Sequence, residues 1–191
     1  MDSMTDEQLV ALIQRGNAKA FNDLAARWET SLYRFTLRTL GNPEDARDVC
    51  QEALLKAYQQ IGRLREGAKF KAWVHHIALN LCRDRFRSPA MRADTRSLDD
   101  PEHQDGAVAR ELAARAPNQT RPEHAVLMRT IEEVMGRLPA DQRTAILLRE
   151  YQGFTSEEIS EITGVPAATI RTRIFYGLRS MRKMLQEQGI S

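Results

Sequence analysis

The stretch that decides the fold is residues 155–186, TSEEISEITGVPAATIRTRIFYGLRSMRKMLQ. Thr155 and Glu158 have the spacing of a capping box, which predicts the start of a short helix. Gly164 predicts a tight turn, and Pro166 suits the first position of a longer second helix. A short helix, a Gly-containing turn and a longer helix together predict a helix-turn-helix.

The second helix of this stretch separates apolar from polar side chains. Projected at about 100° per residue, one face collects Ala167, Ile170, Ile174, Leu178, Met181 and Leu185. The outward face displays Arg171, Thr172, Phe175, Tyr176, Arg179, Arg182 and Lys183. Residues 162–186 hold five basic residues and no acidic one, whereas residues 123–161 hold eight acidic residues. A solvated surface helix normally carries both acidic and basic side chains. The absence of acidic residues here therefore predicts a surface that binds the phosphates of a nucleic acid.

The rest of the chain also predicts helices and no strand. Apolar residues recur at three- and four-residue steps through residues 17–40, 43–61, 70–87, 120–138 and 139–151. Residues 88–120 interrupt this periodicity with Pro, Gly and Asp, and they hold few large apolar residues. We therefore expect an all-α fold with two small helical domains, at residues 1–90 and 121–191, joined by a flexible linker at residues 91–120.

Composition excludes several classes of protein. The 191 residues carry 28 Lys and Arg against 26 Asp and Glu, a net charge of +2, which excludes a simple polybasic arm. No apolar run approaches the roughly 20 residues that cross a bilayer, and the acidic start has no pattern of a secretory signal. We therefore expect a cytoplasmic protein. Two cysteines are too few for a disulfide framework.

The chain lacks the patterns of an enzyme or a metalloprotein. We find no Gly-rich phosphate loop, no Ser-His-Asp set and no paired carboxylates, so we expect no catalytic residue and no cofactor. His75, His76 and Cys82 do not have the spacing of metal ligands, and we expect no metal site. Cys50 and Cys82 fit a redox pair or two small buried hydrophobic residues.

Residues 43–61 predict an amphipathic helix with an unusual outer face. Its apolar stripe is Ala46, Val49, Cys50, Ala53, Ala57 and Ile61. The opposite face gathers Asp48, Gln51, Glu52, Leu55 and Gln59. An exposed Leu among acidic and amide side chains is typical of a docking patch for a basic protein partner. Isolated apolar residues are also common on protein surfaces, so the pattern is equally consistent with no function.

The next segment has the opposite charge. Residues 63–87 hold seven basic residues against Glu66 and Asp84. Among these bases stand Trp73, His75, His76 and Asn80. Aromatic and amide side chains between bases are suited to hold single-stranded nucleic acid by stacking and hydrogen bonding.

Four stretches together resemble the conserved regions of one family. They are residues 45–53 (DARDVCQEA), residues 70–80 (FKAWVHHIALN), Leu138-Pro139 and residues 164–174 (GVPAATIRTRI). In this order they resemble bacterial RNA polymerase sigma factors of the extracytoplasmic-function (ECF), sigma-E-like group, over nearly the whole chain. The resemblance implies a factor that binds core RNA polymerase through its beta-prime and beta subunits. It would direct promoter recognition, DNA melting and transcription initiation of a stress or envelope regulon.

The resemblance also implies further partners and excludes others. Such factors are usually held by an anti-sigma factor, often membrane-bound, which here would compete with core polymerase for Asp48 and Leu55. No small-molecule substrate is implied. The acidic cluster Asp99, Asp100, Glu102 and Asp105 would mimic a nucleic acid near the RNA exit path.

The resemblance assigns roles to three sets of residues. The docking patch, for core polymerase, is Asp48, Gln51, Glu52 and Leu55. The loop–helix surface, for a flipped base and the single strand of the minus-ten element, is Leu64, Arg65, Lys69, Trp73 and Asn80. The helix-turn-helix surface, for the minus-thirty-five element, is Arg149, Ser156, Glu157, Arg171, Thr172, Phe175, Tyr176 and Arg179. Leu64 stands where relatives often have an aromatic residue and Tyr176 where a basic one is frequent, so the promoter sequence does not follow.

Two other classes of protein share some of these features. A helix-turn-helix transcriptional activator would carry the same C-terminal pattern, but its first half would need a ligand cavity or a phosphoacceptor. A helical adaptor that binds only protein would leave the acid-free helix unexplained. The acidic face around Leu55 and the basic segment around Trp73 distinguish the sigma factor from both.

Overall fold

All regular structure in the described residues, 4–87 and 122–190 of this computed structural model, is helical. The helices are α1 Asp6–Gln14, α2 Lys19–Leu40, α3 Pro43–Gln60, α4 Phe70–Arg87, α5 Pro122–Gly136, α6 Ala140–Ile146, α7 Ser156–Thr163 and α8 Ala167–Glu187. Two 3-10 turns, Ile61–Arg63 and Gly67–Lys69, lie between α3 and α4, and the π-helical turn Leu147–Tyr151 continues α6. The predicted all-α fold is confirmed. The predicted linker and its acidic cluster fall outside the described residues.

No helix in the described ranges has the length and apolar character needed to span a membrane.

The N-terminal half is built around α2 and α3. Asn42 caps α3, because its side-chain oxygen accepts hydrogen bonds from the backbone N–H groups of Glu44 at 2.8 Å and Asp45 at 3.2 Å. Pro43 fills the first position of the helix, where no N–H partner is needed. The predicted apolar stripe of α3 is buried in full: Ala46, Val49, Cys50, Ala53, Ala57 and Ile61. Its polar face is thereby fixed toward solvent.

The predicted helix-turn-helix forms in the C-terminal half. Thr155 and Glu158 close a capping box at the start of α7, with the Thr155 N–H donating to Glu158 Oε2 at 2.7 Å. Gly164 ends α7 with φ +73°, a left-handed conformation that favours glycine. Pro166 occupies the N-cap position and α8 begins at Ala167, so the predicted start is one residue too early.

The buried face of α8 differs from the predicted one at one position. Leu178 is 41% exposed, so its assignment to the apolar face is wrong. The buried face instead runs through Ile170, Gly177 and Met181. A Cβ on Gly177 would lie 2.7 Å from Ile146 Cδ1, so the absence of a side chain lets α6 approach at this point. This close approach turns Leu178 outward.

The two halves pack against each other. Helix α4 contacts α7, and α2 contacts the π-helical turn. The buried apolar side chains of both halves belong to one cluster. Phe154 reaches across to the ring of His75, with the ring centroids 5.2 Å apart. The sequence did not predict this contact between the halves.

Candidate functional site

The docking patch lies on the outer face of α3. Leu55 is 55% exposed, and Asp48 and Gln51 are also exposed. Glu52 is half-buried and forms an ion pair with Lys56 at 2.9 Å. Arg85 from α4 approaches Asp48 at 3.5 Å. The structure therefore places all four predicted residues on one solvent-facing side of a helix whose other side is fixed in the core.

A groove beside Leu55 extends this patch. It has a volume of about 380 Å³ and is lined by Ala18, Lys19, Phe21, Asn22, Leu54, Leu55 and Tyr58. Tyr58 is 44% exposed, and its ring contacts that of Phe21 on α2 with centroids 4.9 Å apart. Neither aromatic residue is among those predicted from the sequence. Tyr58 stands three residues after Leu55, a helical spacing that places both on one face, whereas Phe21 is brought there only by the packing of α2.

Helix α1 fixes the loop that contains Leu64. The Gln14 side-chain amide donates hydrogen bonds to the carbonyl oxygens of Ile61 at 2.9 Å and Leu64 at 2.8 Å. Gly67 packs so tightly on α1 that a Cβ there would lie 2.8 Å from Glu7 Cα. A loop held by these contacts loses little conformational entropy when it binds a ligand, which favours recognition of an unstacked base.

The loop–helix surface is partly open and partly covered. Arg65 is exposed, while Leu64 and Trp73 are half-buried against the core. Lys69 lies 3.7 Å from Glu161 of α7. Asn80 donates to His76 Nε2 at 3.0 Å. The predicted residues thus line one loop and the helix that follows it, and α7 lies beside them.

His75 does not contribute to this surface, contrary to the sequence-based expectation. Its ring is fully buried, with Nδ1 2.8 Å from the Lys71 carbonyl oxygen and Nε2 3.2 Å from Gln152 Oε1. A neutral ring carries one N–H and donates to one of these two oxygens. Burial lowers the pKa of His75 to about 4. The neutral imidazole is therefore part of the core, because packing against Phe35 and Phe154 excludes it from solvent.

His76, the adjacent residue, points elsewhere. It is exposed, and its Nδ1–H donates to the backbone carbonyl of Ile162 in α7 at 2.7 Å. Because a carbonyl can only accept, the proton lies on Nδ1 and Nε2 accepts from Asn80. Residues one position apart on a helix project about 100° apart, which explains why one histidine is buried and its neighbour is not.

The helix-turn-helix surface projects from α8 with its aromatic residues exposed. Phe175 and Tyr176 are 62% and 51% exposed, and their rings stand edge to face with centroids 5.3 Å apart. Arg171, Thr172 and Arg179 are exposed on the same helix. Exposed aromatic and basic groups on a helix of this length suit apolar contact with thymine methyls and hydrogen bonds to guanine in a major groove.

Two contacts orient the charged groups at this surface. Arg171 forms an ion pair with Glu157 of α7 at 2.9 Å, and both side chains are exposed. Arg149 donates to the Phe154 carbonyl at 3.1 Å while remaining exposed. Ser156 is half-buried at the first position of α7. These contacts link α8 to α7 through Arg171 and Glu157, and they hold Arg149 of the π-helical turn against the Phe154 carbonyl.

The two cysteines are buried thiols. Burial raises the pKa of Cys82 to about 12, and the nearby Cys50 adds to the shift. Cys82 is therefore protonated at neutral pH, and a protonated thiol is a poor nucleophile. Within the described ranges, no three His, Cys, Asp or Glu side chains come close enough to hold a metal ion.

Comparison with known families matches both halves of the chain. Residues 24–91 match the model of sigma-70 region 2, and residues 128–181 match that of sigma-70 region 4. The first match contains the docking patch and the loop–helix surface. The second contains the helix-turn-helix surface.

Relatives extend the likeness over the full length. The chain is 31% identical to the RNA polymerase sigma-H factor of Pseudomonas aeruginosa over 187 residues, covering 95% of this chain and 94% of the relative. It is 31% identical to the ECF RNA polymerase sigma-E factor of Haemophilus influenzae over 192 residues, covering 97% of each chain. Among solved structures, it resembles the sigma factor RpoE in complex with the anti-sigma factor NepR from Bartonella quintana. That TM-score is 0.64 at 22% identity, covering 88% of this chain and 98% of the other.

Proposed function

The chain belongs to the ECF sigma factors of bacterial RNA polymerase, and on that premise we propose how its three surfaces share the work of initiation. As a member of this family it binds core RNA polymerase and directs promoter recognition, DNA melting and transcription initiation. The residue assignments are supported by one observation. Leu55, Arg65 and Phe175 are exposed, and they lie on three separate elements. One element can thus dock while the other two contact DNA.

The docking patch binds a basic helical element of the core polymerase. Leu55 supplies apolar area at the centre of the patch, and the carboxylates of Asp48 and Glu52 surround it. An apolar centre with a polar rim is the usual anatomy of a protein interface. The groove formed by Phe21 and Tyr58 adds room for a side chain of the partner.

Substitution of Leu55 tests this docking surface. Leu55→Asp should weaken binding to core polymerase by about tenfold or more, since a central apolar contact contributes at least ~1.4 kcal/mol in many interfaces. Binding is measured by titrating labelled sigma factor with purified core. Val126→Asp is the matched control, because Val126 is 66% exposed and lies on α5, away from the patch. Equal affinity of the two variants would exclude Leu55 from the interface.

The loop–helix surface holds the non-paired strand of the minus-ten element. Leu64, Arg65 and Lys69 lie on the loop fixed by α1, and Trp73 and Asn80 lie on α4. Capturing an unstacked base costs a few kcal/mol of stacking energy, which contacts available only in the open duplex offset. If capture of the base depends on which base it is, opening of the promoter duplex depends on the promoter sequence in the same way.

The helix-turn-helix surface reads the minus-thirty-five element in the major groove. Arg171, Thr172, Phe175 and Tyr176 project from α8 toward the bases, and Ser156 and Glu157 lie at the start of α7. Arg149 and Arg179 hold phosphates. Phosphate contacts fix the register of the helix in the groove, and base contacts give specificity.

Partners and setting follow from the family. Catalysis of RNA synthesis belongs to the polymerase, whose beta-prime and beta subunits this factor contacts. The likeness to a sigma factor seen with its anti-sigma factor supports control by a similar partner, which would cover the docking patch and could be anchored in a membrane. The factor acts in the cytoplasm on a stress or envelope regulon, as the sigma-E names of its relatives suggest. Residues 1–90 and 121–191 serve as the two working modules, joined by residues 91–120.

Transcription in vitro tests the whole proposal. Purified core polymerase with this protein should initiate from a promoter selected from a randomised library, and core alone should not. A pull-down measures core binding in parallel. Absence of both promoter-specific initiation and core binding would overturn the proposed function.

A further inference from the structure

The carboxylates of the docking patch are already paired with basic side chains of the same chain. Glu52 Oε1 lies 2.9 Å from Lys56 Nζ, four residues later on α3. Asp48 Oδ2 accepts a hydrogen bond from Arg85 Nη2 of α4 at 3.5 Å. A basic partner that binds this patch therefore meets two carboxylates that each have an internal counter-charge.

A second carboxylate anchors Arg85 beside Asp48. Arg85 Nη1 donates to Asp45 Oδ1 at 2.8 Å. Asp45 and Asp48 are three residues apart, so both lie on the same side of α3. The guanidinium is a planar fork with several N–H donors, and it can therefore reach both carboxylates at once. Because Asp45 is 22% exposed and Asp48 is 64% exposed, the first serves as the anchor and the second faces the solvent.

The position of Asp45 in α3 makes it a stable anchor. It lies in the first turn of the helix, where the unpaired backbone N–H groups favour a negative charge. The next residue, Ala46, is fully buried, so the start of α3 is fixed against the core. On the other side of the pair, Arg85 follows the buried Leu81 by one helical turn. The backbones on both sides of this ion pair are therefore held by packing, and α3 contacts α4 directly.

The two internal counter-charges differ in how readily a partner displaces them. Lys56 is 40% exposed and carries its charge on a flexible stem, and exposed ion pairs of this kind are weak. Rotation of the stem is enough to release Glu52. Arg85, by contrast, stays bonded to Asp45 when another group takes Asp48. It therefore remains in position to compete for Asp48 throughout binding.

This competition acts against a basic partner. At a salt concentration of about 0.15 M the screening length is about 8 Å, which exceeds the 3.5 Å between Arg85 and Asp48. Arg85 therefore weakens the attraction of Asp48 for an approaching basic side chain. Charges at the rim of an interface act mainly on the rate of association and on its salt dependence. We expect the effect of Arg85 to have the same form.

We propose that Arg85 is an internal competitor at the docking patch, and that it lowers the affinity of the chain for core polymerase. This inference rests on the proposed function of the docking patch. The basic element of the core takes Asp48 from Arg85 on binding, and Arg85 keeps its hydrogen bond to Asp45. The chain therefore binds core less tightly than the acidic face of α3 by itself would allow.

Removing the charge of Arg85 tests the proposal in the full-length protein. Arg85→Gln should tighten binding to purified core polymerase about three- to fivefold, near the upper end of what one exposed ion pair contributes. Labelled sigma factor is titrated with core to measure the affinity. The gain should appear as faster association in stopped-flow measurements, and it should shrink as the salt concentration rises.

Arg87→Gln is the matched control for this variant. Arg87 lies in the same last turn of α4, and it pairs with Asp84 of that helix at 3.9 Å. The control substitution changes the net charge by the same amount, and it should leave the affinity for core unchanged. An equal gain in both variants would mean that net charge alone is responsible, and it would refute a specific role for Arg85.

A double-mutant cycle shows whether Arg85 acts through Asp48. Asp48→Asn alone should weaken core binding, because the patch loses a carboxylate. In that background Arg85→Gln should lose most of its effect, since the charge for which Arg85 competes is gone. The full gain in the Asp48→Asn background would contradict competition for Asp48.

The same titrations separate this inference from the function on which it rests. If the wild-type protein does not bind core, the docking function of the patch is overturned, and internal competition is overturned with it. If the wild-type protein binds core and folded Arg85→Gln binds equally or less tightly, the docking function stands. The role of Arg85 as a competitor is then wrong, because its side chain would support the patch instead.

Discussion

His75 shows how burial decides the role of a polar side chain. In the sequence it stands among basic and aromatic residues typical of a nucleic-acid surface, yet its ring lies in the core against Phe35 and Phe154. Burial lowers the pKa of His75 from 6.5 to about 4. The imidazole therefore contributes to stability only while it is neutral.

This pKa difference predicts a pH dependence of folding. Between pH 6.5 and pH 4 the unfolded chain binds more protons at His75 than the folded protein, so the free energy of unfolding falls as the pH drops through this window. The contribution lost by pH 4.5 is about 2 to 3 kcal/mol. His75→Gln should remove this part of the slope in urea unfolding measured at pH 4.5 and pH 7.5. A wild-type slope in the His75→Gln variant would contradict the prediction.

Two departures from the family pattern predict altered promoter preference. Tyr176 is exposed at the helix-turn-helix surface and Leu64 lies on the loop fixed by α1. Tyr176→Ala should change the preferred bases of the minus-thirty-five element and Leu64→Ala those of the minus-ten element, each by about 1 to 3 kcal/mol of discrimination. Selection of holoenzyme-bound promoters from a randomised library measures both. Ser180→Ala, exposed on α8, is the control, and unchanged preference in both test variants would refute these assignments.

Helix α1 acts on the site through the loop that it holds. Its Gln14 amide bonds two loop carbonyls, and its backbone at Glu7 leaves no room for a side chain at position 67. No positive φ is involved at Gly67, so the requirement for glycine here is one of close approach. The helix thus connects packing of the N-terminal half to the geometry of the minus-ten loop.

Alanine substitutions at two glycines test the packing of α1 on the loop. Gly67→Ala would place a Cβ 2.8 Å from Glu7 Cα and 3.3 Å from Val10 Cβ, so α1 or the loop must shift. We expect a loss of about 1 to 3 kcal/mol in the free energy of unfolding, measured by urea denaturation. Gly62→Ala is the matched control, because no atom lies within 4 Å of the Cβ it would add. Equal stability of the two variants would mean that α1 does not constrain the loop.

At the scale of the whole molecule, the net charge of +2 conceals segregated surfaces. The net charge is +3 over residues 1–90, −2 over residues 91–120 and +1 over residues 121–191. Residues 63–87 and helix α8 carry an excess of basic side chains, whereas the docking patch carries carboxylates. The charge of each surface therefore governs its binding to DNA or protein, and the net charge of the whole chain does not indicate either interaction.

Salt dependence of promoter binding should reflect this segregation. Arg179→Ala should weaken binding of the holoenzyme to duplex promoter and reduce the slope of log K against log salt by about 1, because one phosphate contact is lost. Arg129→Ala provides the comparison, since Arg129 is 60% exposed on α5 and pairs with Glu133. Identical salt slopes for the two variants would place Arg179 outside the DNA interface.

The sequence by itself determined the local structure and the character of each surface. Capping residues such as Asn42 and Thr155 fixed where helices begin, because they satisfy backbone N–H groups within a few residues. Helical periodicity separated the buried stripe of α3 from the face that carries Leu55, and it turned Phe175 and Tyr176 outward. These features depend on neighbours three or four residues away, which the sequence displays directly.

Only the tertiary structure decided which of these local features meet. Leu178 turned outward because Gly177 lets α6 approach α8, and His75 became a core residue because Phe154 and Gln152 arrive from the other half of the chain. An ion pair joins Arg38 of α2 to Glu132 of α5 across 94 positions of sequence. Such contacts depend on how whole helices pack, and periodicity along one helix does not say which distant helix will cover it.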